Sequence, residues 1–196
     1  PILIAIRVPD SVDYCRDIGL DVEKWLAEGL VDLLSGTCYF KLNPWEYLVD
    51  LGHRHGVPVY PSLSDSRVKG ETRFRRNSLE ARRGEAMQMW AAGADGIYLF
   101  NYFNPRGEVW RELGDPEGLR SRDKLYFVST RNGSPESYLA DGRRHQRVPI
   151  LTPGNPWLAP REKPSEVEIA VGDDVAAAAR AGLKPSVTCH ARTLGG

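Results

Sequence analysis

Apolar residues in this chain come in short unbroken blocks that alternate with helical stripes. Ile2-Leu3-Ile4-Ala5-Ile6-Arg7-Val8 is nearly all apolar, the pattern of a parallel strand covered on both faces. Pro9-Asp10 ends it. Asp21 then caps a helix in which Val22, Trp25 and Leu26 share a face, and Gly29 closes that helix. Leu30-Val31-Asp32-Leu33-Leu34 is a second strand. Asn43-Pro44 opens a helix through Trp45, Leu48, Val49 and Leu51, with proline at its first position, and Gly56 stops it. Val57 to Leu63 is a third strand, followed by a long basic loop from Ser64 to Asn77. Ser78 caps a helix from Leu79 to Ala92, with Ala86, Met89 and Trp90 on its buried stripe and Gly93 at its end. Gly96 to Phe100 is a fourth strand, and a short helix follows near Glu108 to Leu113.

The four strands start roughly thirty to forty residues apart, close to the ~31 residues per unit of a (β/α)8 TIM barrel. No Gly-rich phosphate loop follows the first strand, which argues against a dinucleotide-binding sheet. After Lys124 the helical periodicity stops. Leu125 to Ser129 reads as a strand, residues 131–164 are rich in Pro and Gly, and Val167-Glu168-Ile169-Ala170-Val171 and Pro185 to Ala191 alternate as paired antiparallel strands would. The segment Ala176 to Ala181 reads as a helical turn or a small insert between strands. The expected fold is therefore α/β: the C-terminal half of a TIM barrel followed by a partial antiparallel β domain. Four β/α units span 1–124, a strand and Pro/Gly-rich connection spans 125–164, and the start of the β-rich domain spans 165–196.

Composition excludes some classes. With 26 basic and 26 acidic side chains the formal net charge is zero, so the basic excess of a phosphate-neutralising nucleic-acid binder is absent. No apolar run approaches the ~20 residues of a membrane span. Cys15, Cys38 and Cys189 form no CxxC pair, and the expected role of each is that of a small buried apolar residue. His53 and His55 lack a spacing that would share a metal and read as solvated residues at a helix end. No metal or cofactor is expected. The chain starts at Pro1 directly in a strand and ends in what reads as a strand running into a turn. The expectation is a piece of a longer enzyme whose partner is the missing N-terminal half of the same barrel, and which is inert alone. Its compartment is not legible; export would need a leader upstream.

In a barrel the active site forms at the C-terminal ends of the strands. That rule selects Arg7 and Asp10 from the first strand, Tyr39 from the second, Tyr60, Ser62, Asp65 and Arg67 from the third, and Asn101 and Tyr102 from the fourth. Aromatic rings, amides and guanidinium groups in this mixture suit a polyhydroxylated ligand. Asp10 and Asp65 are the only strand-end carboxylates, and glycoside hydrolysis requires a carboxyl pair. They are the candidate acid/base groups, and Arg7, Tyr39, Tyr60, Ser62, Arg67, Asn101 and Tyr102 are the candidate substrate-binding residues. As an ordinary structural role, Asp10 would cap a turn ahead of Ser11.

The succession Val8-Pro9-Asp10-Ser11, Gly19 to Leu26 with Asp21 and Trp25, and Gly29 to Leu34 leading to Tyr39 resembles bacterial glycoside-hydrolase-like TIM barrels. Gly93 to Tyr102 resembles their last barrel strand, and Leu151-Thr152-Pro153-Gly154 and Val171 to Val175 resemble the β domain that follows it. The resemblance implies action on a polysaccharide or glycoconjugate without fixing the substrate. A non-catalytic carbohydrate-binding barrel, or another barrel lyase or isomerase, stands as the alternative.

Overall fold

The computed structural model describes residues 2–36, 41–64, 75–127, 142–148 and 168–189, together with 162, 164 and 166. Its centre is one parallel sheet of four strands: β1 (Ala5–Val8), β2 (Leu33–Gly36), β3 (Val59–Ser64) and β4 (Tyr98–Phe100), in the order β1-β2-β3-β4. All four apolar blocks become strands, although each strand is shorter than its block. Parallel strands laid down one after another in a single direction, with right-handed crossovers, place every crossover helix on one face.

The register identifies the two faces. On the helix side lie Ile6, Val8, Leu34, Gly36, Val59, Pro61, Leu63 and Leu99; on the other lie Arg7, Ser35, Tyr60, Ser62, Ser64, Tyr98 and Phe100. Leu34 and Val59 are fully buried under the helices, whereas Ala5 and Arg7 are exposed. The first strand is thus not covered on both faces, as its apolar run suggested. Ile2, Leu3 and Ile4 at its start are exposed as well.

Seven α-helices occur among the described residues. The helix α1 (Val12–Asp17) is capped by Ser11, whose hydroxyl accepts from Tyr14 N–H, and α2 (Val22–Ala27) is capped by Asp21, which accepts from Lys24 N–H. The helix α3 (Trp45–His53) starts one residue after Pro44, which therefore sits just outside the helix and not at its first position. The longest, α4 (Leu79–Ala91), is capped by Ser78. Two single-turn helices follow, α5 (Val109–Glu112) and α6 (Pro116–Leu119), and α7 (Val175–Arg180) comes last. Leu26, Leu48, Met89, Leu113 and Leu119 join Leu34 and Val59 in one apolar core. Arg83 on α4 grips Glu112 on α5 through two hydrogen bonds of 2.6 and 3.1 Å, and both side chains are largely buried.

The described residues form no antiparallel β domain. Among the described residues no strand follows β4: residues 125–127, 168–174 and 182–189 are non-regular, and 175–180 is helical. The architecture is an open, all-parallel α/β sheet, without the partial β domain that the alternation after Lys124 suggested. Parts of that region hydrogen-bond along α4 instead. Leu125 N–H donates to Glu80 O (2.9 Å), and Gln88 Nε2 to Ala170 O (2.5 Å). Asp173 accepts from Tyr126 Oη (2.8 Å) and pairs with the buried Lys124 ammonium (3.0 Å). Two glycines permit this close approach. A Cβ on Gly84 would lie 2.2 Å from Leu125 O, and one on Gly172 would lie 2.4 Å from Met87 O. Backbone atoms cannot yield as a side-chain tip can. Gly84→Ala is therefore expected to lift residues 125–127 from α4 and speed chymotryptic cleavage at Tyr126 severalfold under native conditions. Unchanged cleavage would show that the contact is dispensable.

Candidate functional site

The sheet face opposite the helices carries the densest group of polar and aromatic side chains selected from the sequence. The guanidinium carbon of Arg7 on β1 lies 3.9 Å from the ring centroid of Phe100 on β4. These are the two outermost strands, about 14 Å apart in a flat sheet at the usual inter-strand spacing. Side chains from opposite edges meet only because the sheet is concave on this side. The hollow between them is lined by Ser35, Tyr60, Ser62 and Tyr98.

The Tyr60 ring lies low, over Gly96 of the neighbouring chain segment; a Cβ at 96 would fall 2.5 Å from its Cε1. Tyr98 is exposed. The Ser35 and Ser62 hydroxyls are buried and have no hydrogen-bond partner among the described residues. An unpaired buried hydroxyl costs roughly 1–3 kcal/mol, and both of these lie on this face of the sheet. The guanidinium of Arg7 has no carboxylate partner among the described residues.

Asp10 stands beyond the C-terminal end of β1, with only 1% of its surface exposed. Its carboxylate accepts from Leu42 N–H at 2.9 and 3.1 Å and from Asn43 N–H at 2.9 Å, while Asn43 Nδ2 donates to Asp10 O at 2.6 Å. Burial pushes the carboxyl up to about 6, against the pull of these N–H groups and of Lys41. A raised carboxyl pKa is what a general acid needs, but a side chain closed in this way has no path to a sugar oxygen. The arrangement ties the segment after β2 to the end of β1. Lys41 next to it is held below the usual lysine range by burial, opposed by Glu85, Asp10 and Glu46, and its ammonium sits 4.9 Å from the Trp45 ring centroid.

The remaining selected residues divide. Arg7, Tyr60 and Ser62 share the concave face. Asn101 follows β4 with φ 55° and is exposed, the left-handed turn conformation that Asn tolerates. The Tyr102 ring packs edge-on against Trp110 at 5.6 Å, under Arg82, away from the hollow. Tyr39, Asp65 and Arg67 lie outside the described residues.

No protein-family model matches the chain, and no curated protein matches it. The functional reading therefore rests on the residues themselves. Three lining residues, Ser35, Tyr98 and Phe100, were not selected from the sequence. Period-two alternation with Arg7, Tyr60 and Ser62 is the signal that identifies them once the strand bounds are set.

Elsewhere, His53 Nε2 pairs with Asp95 Oδ2 at 2.8 Å, and Val59 N–H donates to the same oxygen at 2.7 Å. Partial burial alone would raise the Asp95 carboxyl, but the two donors together hold it below the usual range. His53 is exposed at the end of α3, as expected, and its ring also fastens that end to the turn before β4. Cys15 is buried, its thiol pushed up to about 12 chiefly by burial, whereas Cys189 is exposed and departs from the expected buried role. No group of three His, Cys, Asp or Glu side chains among the described residues is arranged to hold a metal ion, and no helix among them is long and apolar enough to cross a membrane. A cleft between α4 and residues 125–127, lined by Glu85, Gln88 and Tyr126, has room for about one water molecule. It lies on the helix side, so the concave face remains the candidate site.

Proposed function

We propose that this protein acts on a polysaccharide or glycoconjugate as a glycoside hydrolase-like protein and holds the sugar over the concave sheet face. The observation that carries the reading is the Arg7–Phe100 stack across a hollow that also presents Tyr60, Tyr98 and two unpaired hydroxyls. Flat aromatic surface accepts the apolar face of a sugar ring, and serine and guanidinium groups bond its hydroxyls. Asp65, next in sequence after β3, is the candidate reacting carboxyl. Asp10 is engaged by the Leu42 and Asn43 N–H groups, so it is not assigned as the second carboxyl.

The engagement of Asp10 by backbone N–H groups favours a second reading, a carbohydrate-binding protein without turnover. Reducing-end release from a polysaccharide panel, read beside binding by calorimetry, separates the two. Turnover abolished by Asp65→Asn supports hydrolysis. Binding without turnover supports the second reading. A panel that is neither bound nor cleaved overturns both.

A further inference from the structure

We infer that the sugar bound on the concave face carries a carboxylate, so that the substrate class is an acidic, uronate-containing glycan. The inference rests on the carbohydrate reading given above and specifies its ligand.

The argument starts from charge. Arg7 places a permanent positive charge on this face. Its neighbours by register are Ser35 on β2 and Tyr60 beyond it, followed by Ser62, Tyr98 and Phe100. None of these is acidic, and no hydrogen bond or ion pair joins Arg7 to a carboxylate among the described residues. Other arginines of the chain that are pinned in place have acidic partners, among them Arg16 with Glu23, Arg83 with Glu112 and Arg144 with Asp17. Arg7 instead sits over the Phe100 ring, its guanidinium carbon 3.9 Å from the centroid. A guanidinium held over a ring, with no carboxylate partner among the described residues, keeps an N–H edge for a ligand. That edge is the fork that matches a carboxylate with two parallel hydrogen bonds.

The hydroxyls complete the pattern. Ser62 is 1% exposed and its Oγ has no partner among the described residues; Ser35, half-buried and beside Arg7 by register, likewise has an unpartnered buried Oγ. A neutral sugar would use the hydroxyls and the aromatic floor but would leave the Arg7 fork unmatched. A uronate engages all three kinds of group at once: ring face on the aromatic side chains, hydroxyls on the serines, carboxylate on the guanidinium. A charge-assisted bidentate pair is stronger than the neutral hydrogen bonds it replaces, and it discriminates acid from alcohol at one carbon of the sugar.

The test is calorimetric binding of a galacturonate trisaccharide and of its neutral galactose counterpart to the wild-type chain, Arg7→Gln, Arg7→Lys and Ser62→Ala. The expected result is at least tenfold tighter binding of the uronate by wild type. Arg7→Gln should remove that preference, Arg7→Lys should retain part of it, and Ser62→Ala should weaken both sugars. Arg7 is exposed, so its variants are expected to keep the wild-type melting temperature. Equal binding of both trisaccharides by wild type, or a uronate preference that survives Arg7→Gln, overturns the acidic-glycan inference and leaves the carbohydrate reading intact. Binding of neither sugar by wild type overturns the inference together with that reading.

Discussion

Replacing Asp10 by alanine is expected to lower the stability of the protein by about 2–4 kcal/mol. Two backbone donors, Leu42 N–H and Asn43 N–H, end on this one carboxylate in a site closed to water. Alanine leaves both unpaired, and each unpaired buried donor costs roughly 1–3 kcal/mol. Urea denaturation at neutral pH measures the loss; an unchanged midpoint would show that the 41–43 segment finds other partners. Asparagine is the informative companion, because its carbonyl oxygen still accepts from these donors while carrying no charge.

The two substitutions also separate charge from shape. Burial raises the folded-state carboxyl to about 6, above its ordinary 3.8. Between those values the folded state holds more protons than the unfolded chain, so this group's contribution to stability falls as pH rises. The proton-linked part of the contribution is fully present below pH 4 and is lost above pH 6, while the hydrogen bonds from Leu42 and Asn43 N–H remain. Asparagine does not titrate. The stability of Asp10→Asn relative to wild type should therefore climb between about pH 4 and pH 6, by on the order of 3 kcal/mol at most, and stay level on either side. A difference that is flat through this window would mean that the carboxyl titrates as it does in the unfolded chain.

Gly52→Ala gives the second large effect, and its sign runs against helix propensity. Gly52 lies in the last turn of α3, where alanine would ordinarily gain up to ~1 kcal/mol. Here an added Cβ would fall 2.2 Å from Val59 Cγ2 and 2.8 Å from Val57 O. The helix rests directly on β3, and the carbonyl is part of the backbone entering that strand. Overpacking of this kind costs about 1–3 kcal/mol, enough to reverse the propensity gain. The expected result is a melting temperature several degrees below wild type. A higher melting temperature would show that α3 can move away from the sheet without loss.

How far the chain announced its structure varies with the kind of signal. The four strands were legible because each is an apolar block fenced by Gly, Pro or Asp, and α2 and α4 because Asp21 and Ser78 cap well-spaced stripes. The helix α1 was not. Its sequence, Val12-Asp13-Tyr14-Cys15-Arg16-Asp17, has no strong stripe, and Ser11 was its one signal. The tail after Lys124 failed for a different reason. Alternation in Val167 to Val171 describes any extended segment, and what settles 170–172 is contact with α4 through Ala170 and Gly172, more than 80 residues away in sequence. In the candidate site, Arg7, Tyr60 and Ser62 follow from the strand-end rule, whereas Ser35 does not, because the apolar block of the second strand ends at Leu34 while β2 runs on to Gly36. The backbone donors that close around Asp10 come from the segment after the neighbouring strand, 32 and 33 residues on, and leave no local trace.

Gly96 gives the concave face its depth. The Tyr60 ring can lie against the sheet only because the residue beside it has no side chain. A methyl group there would tip the ring outward and turn the hollow into a ridge, with every lining residue still in place. The volume available to a ligand is thus encoded by an atom that is missing from the wall, and a survey of the residues that line the site would pass over the position that shapes it.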